Sequence, residues 1–392
     1  MKYSYNNPNL RFVDFFTAIF VSTKNAQDRL SSFFSDLTGK KYILLTNSCR
    51  TALYLSYQVL PKKGQVITSP LTCKVAIDPI VESGDTPVYA DISLGNLNIA
   101  LEDIEHRITP ETIAIQAIHL GGISCDMSRI MKIAHKHNLP VIEDCAQSLG
   151  ASYQGKPTGS FGDIACFSLI KNAHGIAGGV FATSNKDYYT KAVAINRTFT
   201  NGPAKIRSFR VIRNLLATKQ NGLLWRILYK AMLKIKGHSQ RYSSVVTQLH
   251  QIASIEIKIA SHQLGRFKKL QAVRKQIGME YYKRLKRDGL IVNNDYLPEA
   301  SSFTKFFIFN PEIDTIAALE FLNNQGIQSR HLEDKTGSPY QKPLISKNDA
   351  IKNGLVKYLQ VHDHLISLPM NTGLNTGDQQ FIHKHLSTAI SL

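Results

Sequence analysis

The chain has 392 residues, enough to bury a large core and to hold two domains. Its 47 lysines and arginines outnumber 29 aspartates and glutamates, and the net charge of +18 calls for an anionic partner: a phosphorylated substrate, a membrane surface or a nucleic acid. No apolar run reaches membrane-spanning length, and the opening MKYSYNNPNLRFVDFF lacks a signal-peptide core, so a cytoplasmic protein is expected. Five scattered cysteines with no C-x-x-C pair argue for reduced thiols and against a disulfide framework or a zinc site, so no metal is expected.

In chain order, the apolar spacing of Phe12, Val13, Phe15, Phe16, Ile19 and Phe20, continued by Ala26 and Leu30, predicts helix over 10–40. Tyr42–Leu45 reads as a strand, and Thr46-Asn47-Ser48-Cys49-Arg50-Thr51 leads into a helix from Ala52 to Tyr57. A polar turn that opens a helix after a strand is a ready anion site, because free amides and the helix dipole both face the ligand. Strands follow at Gln65–Ser69, Pro87–Asp91 and Ala114–His119, with helices at Ala76–Glu82 and Ser128–His137 between or after them. This alternation implies an α/β fold with a parallel sheet between helices, and ligands of such sheets sit at the carboxyl ends of the strands. Asp144, His119 and the Ser48–Thr51 turn all fall at such ends, so one shared cleft is expected there.

The stretch Val141–Gly179 organises the rest. It opens as an apolar strand ending in Glu143-Asp144, passes through turn glycines, runs Phe167-Ser168-Leu169-Ile170-Lys171-Asn172, and closes on Gly178-Gly179. Its anchors are Asp144-Cys145-Ala146-Gln147, Gly159-Ser160-Phe161-Gly162-Asp163, Phe167-Ser168, Lys171-Asn172 and the glycine pair. In that order they resemble the core signature of the DegT/StrS-type sugar aminotransferases, and the likeness extends over roughly 25–200 and 250–385.

The resemblance implies a fold type I pyridoxal phosphate (PLP) enzyme: a large domain over 1–251 with a mostly parallel sheet flanked by helices, and a smaller α+β C-terminal domain over 252–392. By the same likeness Lys171 forms the Schiff base, Asp144 keeps the pyridine nitrogen protonated, Gln147 meets the ring oxygen, and Arg50, Thr51 and Ser168 hold the phosphate. Glu143 is expected to be structural. His119, Arg330 and His331 are expected at the substrate, the last two because relatives carry basic and aromatic contacts after a Gly-Ile segment, here Gly326-Ile327. The substrates implied are a keto-sugar, nucleotide-linked, and glutamate as amino donor, in a homodimer with active sites at the interface. Two departures stand out: Cys49 replaces a glycine of the phosphate turn, and Ser168 lies three residues before Lys171 where the family has five. The turn Leu71-Thr72-Cys73-Lys74 supplies no ring-stacking aromatic, and Leu249 and Gln251 stand where relatives carry N-x-R, leaving Gln248 or Arg241 as substitutes. Retention of Lys171 favours amino transfer over a PLP-dependent sugar dehydratase. A non-catalytic membrane-associated protein on a degenerate aminotransferase fold is the remaining alternative.

That last alternative draws on an insertion at 202–250. Lys205 to Arg241 holds ten basic and no acidic residues. Within it Arg226, Lys230 and Lys234 share one helical face, with Leu223, Leu224, Ile227 and Leu228 on others. A basic amphipathic helix over 204–241 suits an anionic membrane surface, which would place the protein peripherally on the inner face. Packing of the insertion on its own domain or across a dimer is the equal alternative. No nucleic-acid-binding motif accompanies the charge, which sets that partner aside.

Overall fold

The computed structural model describes residues 12–173, 175–201, 249–288, 298–331 and 345–390. The expected basic helix at 204–241, and Gln248 and Arg241 as the substitutes for N-x-R, lie outside the described residues.

Seven strands form the main sheet: β1 (Tyr42–Thr46), β2 (Gln65–Thr68), β3 (Thr86–Tyr89), β4 (Thr112–Ile118), β5 (Val141–Asp144), β8 (Ile164–Ser168) and β9 (Gly179–Thr183), in the order β1-β9-β8-β5-β4-β2-β3. Two short strands, β6 (Ser152–Tyr153) and β7 (Lys156–Pro157), make a separate hairpin. The pairs from β3 through β8 are parallel, and β9 runs antiparallel to both its neighbours. β4, β5, β8 and β9 are buried along their whole length, so they read as near-continuous apolar runs rather than alternating ones. Helices α1 (Phe12–Phe20), α2 (Thr23–Thr38), α3 (Cys49–Gln58), α4 (Lys74–Glu82), α5 (Leu101–Arg107), α6 (Met127–Lys136) and α7 (Lys186–Thr198) belong to this part of the chain.

The expected single helix over 10–40 is two. Ser22 leaves helical geometry and caps α2 by accepting the Asn25 N–H at 3.1 Å, an N-cap bond that a continuous helix would forbid. The buried face of α1 is fixed by Asp14, whose carboxylate takes His262 and Gln263 from a later helix and Arg266 just beyond it.

α8 (Ser254–Leu264) packs on α1 and α2, and its Ile257 and Ala260 join the core of the main sheet. α9 (Phe267–Arg287) then leads to a second layer: the antiparallel strands β10 (Phe306–Phe309), β12 (Leu365–Leu368) and β11 (Arg330–His331), in that order, with α10 (Thr315–Asn324), α11 (Lys347–Lys352), α12 (Val356–His362) and α13 (Thr376–Ile390). This layer has its own core, from Ile277 and Tyr281 through Phe306 and Ile308 to Ile382 and Leu386. The strand expected from Phe303 starts three residues later, because Phe303 takes a positive φ of 47° and Ser302 bonds to Gly122 instead.

Two local devices shape the sheet edge that matters. Glu143 and Asp144 are consecutive, so they face opposite sides of β5. Glu143 is fully buried, and its carboxylate accepts the N–H groups of Gly159 (2.7 Å), Phe161 (2.8 Å) and Gly162 (2.6 Å) and meets His119 Nε2 at 3.1 Å. Thus the G-x-x-G turn is folded around one carboxylate. The backbone N–H of Cys125 points at His119 Nδ1, so that nitrogen keeps its lone pair and Nε2 carries the proton donated to Glu143. Burial works against ionisation of Glu143, but the His119 hydrogen bond and the N–H groups of Gly162 and Gly159 prevail and hold it below the usual carboxylate range.

The second device is the glycine pair. A Cβ on Gly179 would lie 2.3 Å from Cys49 N and from the Ser48 carbonyl carbon, both backbone atoms that cannot yield. Gly178 bridges Ser48 in parallel fashion and donates its N–H to Asn47 O at 3.0 Å. The start of β9 is therefore pressed directly against the first turn of α3.

Two outcomes follow from these contacts. Glu143 has a lowered folded pKa, so its stabilisation is complete above the ordinary carboxylate range and fades as pH falls through the folded value. Glu143→Gln is expected to cost about 3 kcal/mol at neutral pH, with the melting-temperature gap to wild type closing below about pH 4; a gap that stays constant on acidification contradicts this. Gly179→Ala is expected to cost about 1–3 kcal/mol and to weaken cofactor retention, read by thermal melting and by PLP titration. Wild-type behaviour in both would show that the contact is not tight.

Candidate active site

β1, β5 and β8 end at one edge of the sheet and β9 begins there. The register sets Thr46 and Ser168 both opposite Gly179, and Asp144 opposite Cys166. A cavity of about 300 Å³ opens at this edge. Its walls include Asn47, Ser48, Cys49 and Arg50 from the β1–α3 turn, Thr72 and Cys73 from the turn before α4, Asp144 at the end of β5 with Gln147 beyond it, and Ser168 at the end of β8 with Lys171 beyond it. Of the residues expected at a cofactor, Arg50, Asp144, Gln147, Ser168 and Lys171 are thus brought together.

Lys171 rides on the loop that joins β8 to β9. Gly175 N–H closes this loop onto Leu169 O at 2.6 Å, and Leu169 N–H bonds Gly178 O at 3.0 Å. The short Ser168–Lys171 spacing is accommodated by this tight turn, and both side chains still reach the cavity. Asn172 is buried and pins the loop from behind, donating to Leu149 O at 2.8 Å and accepting from Thr304 Oγ1 at 2.7 Å. Among the described residues the Lys171 amine has no hydrogen-bond partner. It does sense its neighbours: its charge opposes the effect of burial on Asp144 and on Cys49.

Asp144 is buried, and its side chain accepts one hydrogen bond among the described residues, from Ala146 N–H at 2.9 Å. Burial pushes its carboxyl up, against the pull of Lys171. A cationic ring nitrogen beside it would reverse that shift. Gln147 spends its Oε1 on Gly121 N–H at 3.1 Å, which leaves Nε2 to face the cavity. The Ser168 hydroxyl has no partner among the described residues, and the buried Thr72 Oγ1 is likewise unmatched. Ser48 caps α3, so the amides of its first turn point at the cavity wall. Unmatched hydroxyls, helix amides, an under-paired carboxylate and an amine converge here, a donor set that fits PLP. Burial, with Asp144 beside it, pushes the Cys49 thiol well above its ordinary value, so the cysteine in the family's glycine position adds no charge to the turn.

Other expected residues are placed elsewhere. Thr51 is fully buried inside the turn, where its hydroxyl meets Asn47 Oδ1 at 2.5 Å and Ser48 Oγ at 3.1 Å, and it does not line the cavity. His119 lies on the Glu143 side of β5 with both ring nitrogens engaged and no exposed surface, so the structure turns it away from a substrate. With Glu143 and Cys145 it forms a buried cluster in which His119 and Glu143 are hydrogen-bonded to each other. Arg330 is exposed on β11, and His331 is the next residue of that strand. Asn47 and Thr72 are polar cavity residues to which sequence reasoning gave no role. Thr72 carried a readable signal, a hydroxyl just past the carboxyl end of β2.

A sequence model of the DegT/DnrJ/EryC1/StrS aminotransferase family matches residues 14–387. The spore coat polysaccharide biosynthesis protein SpsC of Bacillus subtilis is 38% identical over 165 residues, 40% of this chain and 42% of that protein. GDP-perosamine synthase of Caulobacter vibrioides is 37% identical over 162 residues, 40% of this chain and 44% of that protein. The matched region spans less than half the length of these curated relatives. Among solved structures, Helicobacter pylori PseC, an aminotransferase involved in pseudoaminic acid biosynthesis, superposes with a TM-score of 0.74 at 20% identity, covering 99% of both chains. The sugar aminotransferase Spr1654 of Streptococcus pneumoniae, in its PMP-form, gives 0.75 at 20% identity with the same coverage. These two likenesses show the fold, that of the fold type I PLP-dependent enzymes. The match across nearly the whole length makes this chain a member of the DegT/DnrJ/EryC1/StrS aminotransferase family.

Proposed function

We propose that the protein is a PLP-dependent aminotransferase that moves an amino group from glutamate to a nucleotide-linked keto-sugar, in the service of cell-surface polysaccharide synthesis. The observation that carries this reading is the convergence of Lys171, Asp144, Gln147 and Ser168 on one cavity. When bound, PLP supplies an electron sink that lets one amino group pass between two substrates.

The residues divide the work. The Asp144 carboxylate would hold the proton of the ring nitrogen, a partner that also relieves its own burial. Gln147 Nε2 is the donor left for a ring oxygen. Ser168, the first-turn amides of α3 and the Arg50 guanidinium offer a phosphate hydrogen bonds and positive potential. Lys171 would hold the cofactor, and its free amine would take a proton from the donor's α-carbon and return one to the acceptor carbon in the second half-reaction. Atoms balance: glutamate leaves as 2-oxoglutarate and the keto-sugar leaves as an amino sugar.

The reading includes a homodimer. The exposed apolar residues of α1, among them Phe16, Ile19 and Phe20, support a face that another chain covers. No helix among the described residues is long and apolar enough to cross a membrane. The reading also sets the enzyme in the cytoplasm, with the basic stretch at 204–241 as a peripheral contact to anionic lipid.

Loaded with PLP, the wild type is expected to show a visible absorption band that glutamate bleaches as 2-oxoglutarate appears. Lys171→Ala should keep the fold and lose both turnover and the lysine-linked band. Asp144→Asn should keep bound cofactor while losing about 10²–10³ in turnover number. A wild type that stays colourless and yields no 2-oxoglutarate with any keto-sugar would refute the reading.

A further inference from the structure

Another cavity, of about 430 Å³, opens where the loop after β3, the loop after β4 and the β6–β7 hairpin meet. It shares no wall residue with the cofactor cavity. Its rim is built by local hydrogen bonds. Asp126 caps α6, and its Oδ1 accepts both the Arg129 N–H at 3.1 Å and the Tyr153 hydroxyl at 2.6 Å. The second of these bonds ties the hairpin to the helix. The hairpin turns at Gln154-Gly155, with φ of +47° and +77°, the paired positive values of a type I′ turn. Gln154 spends both ends of its amide on the rim: Oε1 accepts from Ser128 Oγ at 3.1 Å, and Nε2 donates to the Tyr153 hydroxyl at 3.3 Å. Tyr153 is thus held at its hydroxyl, and its ring meets Phe161 edge-on at 5.7 Å.

The wall joins apolar surface to unspent polar groups. Tyr153, Ile99, Leu101 and Ile123 supply the apolar part. Among the described residues the Ser152 hydroxyl has no hydrogen-bond partner, and Asp126 Oδ2 takes none. Asn96 uses Oδ1 on the Asn98 N–H at 3.0 Å, which leaves Nδ2 as a donor. Ser93 Oγ accepts the Gly95 N–H at 3.3 Å and keeps its own proton to donate. The charges are two carboxylates, Glu102 and Asp126, against one guanidinium, Arg129. Arg129 is already paired with Glu102 at 3.2 Å, so Asp126 carries the uncompensated charge. A locally acidic cavity stands out in a chain of net charge +18. It offers a phosphate no spare cation, and it offers an ammonium a carboxylate oxygen. Donors, acceptors and an aromatic wall together complement a pyranose, which has hydroxyls at its edge and C–H groups on its face.

We propose that this cavity is a binding site for an amino-bearing pyranose, separate from the site of amino transfer. Asp126 Oδ2 takes the ammonium, the Ser152 hydroxyl and the Asn96 amide take ring hydroxyls, and Tyr153 covers a face of the ring. The volume lies within the range of small-ligand sites, roughly 300–1,000 Å³. The proposal concerns binding alone and needs no catalytic step. It does not depend on the aminotransferase reading; under that reading the ligand belongs to the chemical class of the product.

The test is calorimetric titration of the full-length, PLP-loaded protein with glucosamine and with glucose. Glucosamine should bind the wild type more tightly than glucose does, and bind Asp126→Asn about tenfold more weakly, because the charge-assisted hydrogen bond is lost. Asparagine caps a helix as well as aspartate, so the melting temperature of this variant should match wild type. Ser152→Ala, which removes a hydroxyl with no partner to lose, should weaken glucosamine by about threefold. Three results would each overturn the site: no saturable binding of glucosamine to the wild type, affinity of both variants within experimental error of wild type, or no preference for glucosamine over glucose. A visible cofactor band that shifts in step with saturation would place the ligand in the cofactor cavity and overturn it too. Turnover of a keto-sugar is not part of the readout, so failure of the aminotransferase reading would leave these outcomes distinct.

Discussion

One backbone hydrogen bond, from Gly178 N–H to Asn47 O, ties together the two turns on which the cavity depends. On one side of it the β1–α3 turn presents the first amides of a helix. On the other, the β8–β9 loop carries Lys171. The bond can form only because the next residue, Gly179, has no side chain to strike Ser48 and Cys49. The tight closure of the loop at Gly175 and its pinning by Asn172 then set where Lys171 stands. Position in this site is a property of backbone contacts, which is why glycines surround it.

The strand next to that junction adds a division of labour. Successive residues of a strand face opposite sides, so Glu143 and Asp144 meet different surroundings although both are buried carboxylates. Glu143 is surrounded by N–H donors and held ionised below the usual range; it organises the G-x-x-G turn. Asp144 receives one amide, is pushed upward by burial, and looks into a cavity. The first carboxylate builds structure, and the second retains unspent electrostatic capacity. That contrast in hydrogen bonding gives a physical reason to place the chemistry at residue 144.

Much of this was readable in advance, for identifiable reasons. The β-α alternation and the position of Asp144 at a strand end follow from local apolar runs. The grouping of Lys171, Ser168 and Gln147 came from the likeness of a stretch of forty residues to the family's signature. What escaped was decided by contacts far apart in sequence. Thr51 looks like a phosphate ligand until Asn47 is seen to take its hydroxyl. His119 lies at a strand end, as a substrate residue would, but Glu143 and the Cys125 amide claim both its nitrogens. The split of the first helix turned on a single capping serine that helical periodicity does not register.

The central claim is that Lys171 is the residue joined to the cofactor. Reduction of the PLP-loaded protein with borohydride, followed by proteolysis and mass spectrometry, tests it directly. The account predicts one pyridoxyl-phosphate mass increment, on the peptide that contains Lys171. An increment on another lysine, such as Lys74 or Lys305, or none at all, would contradict it.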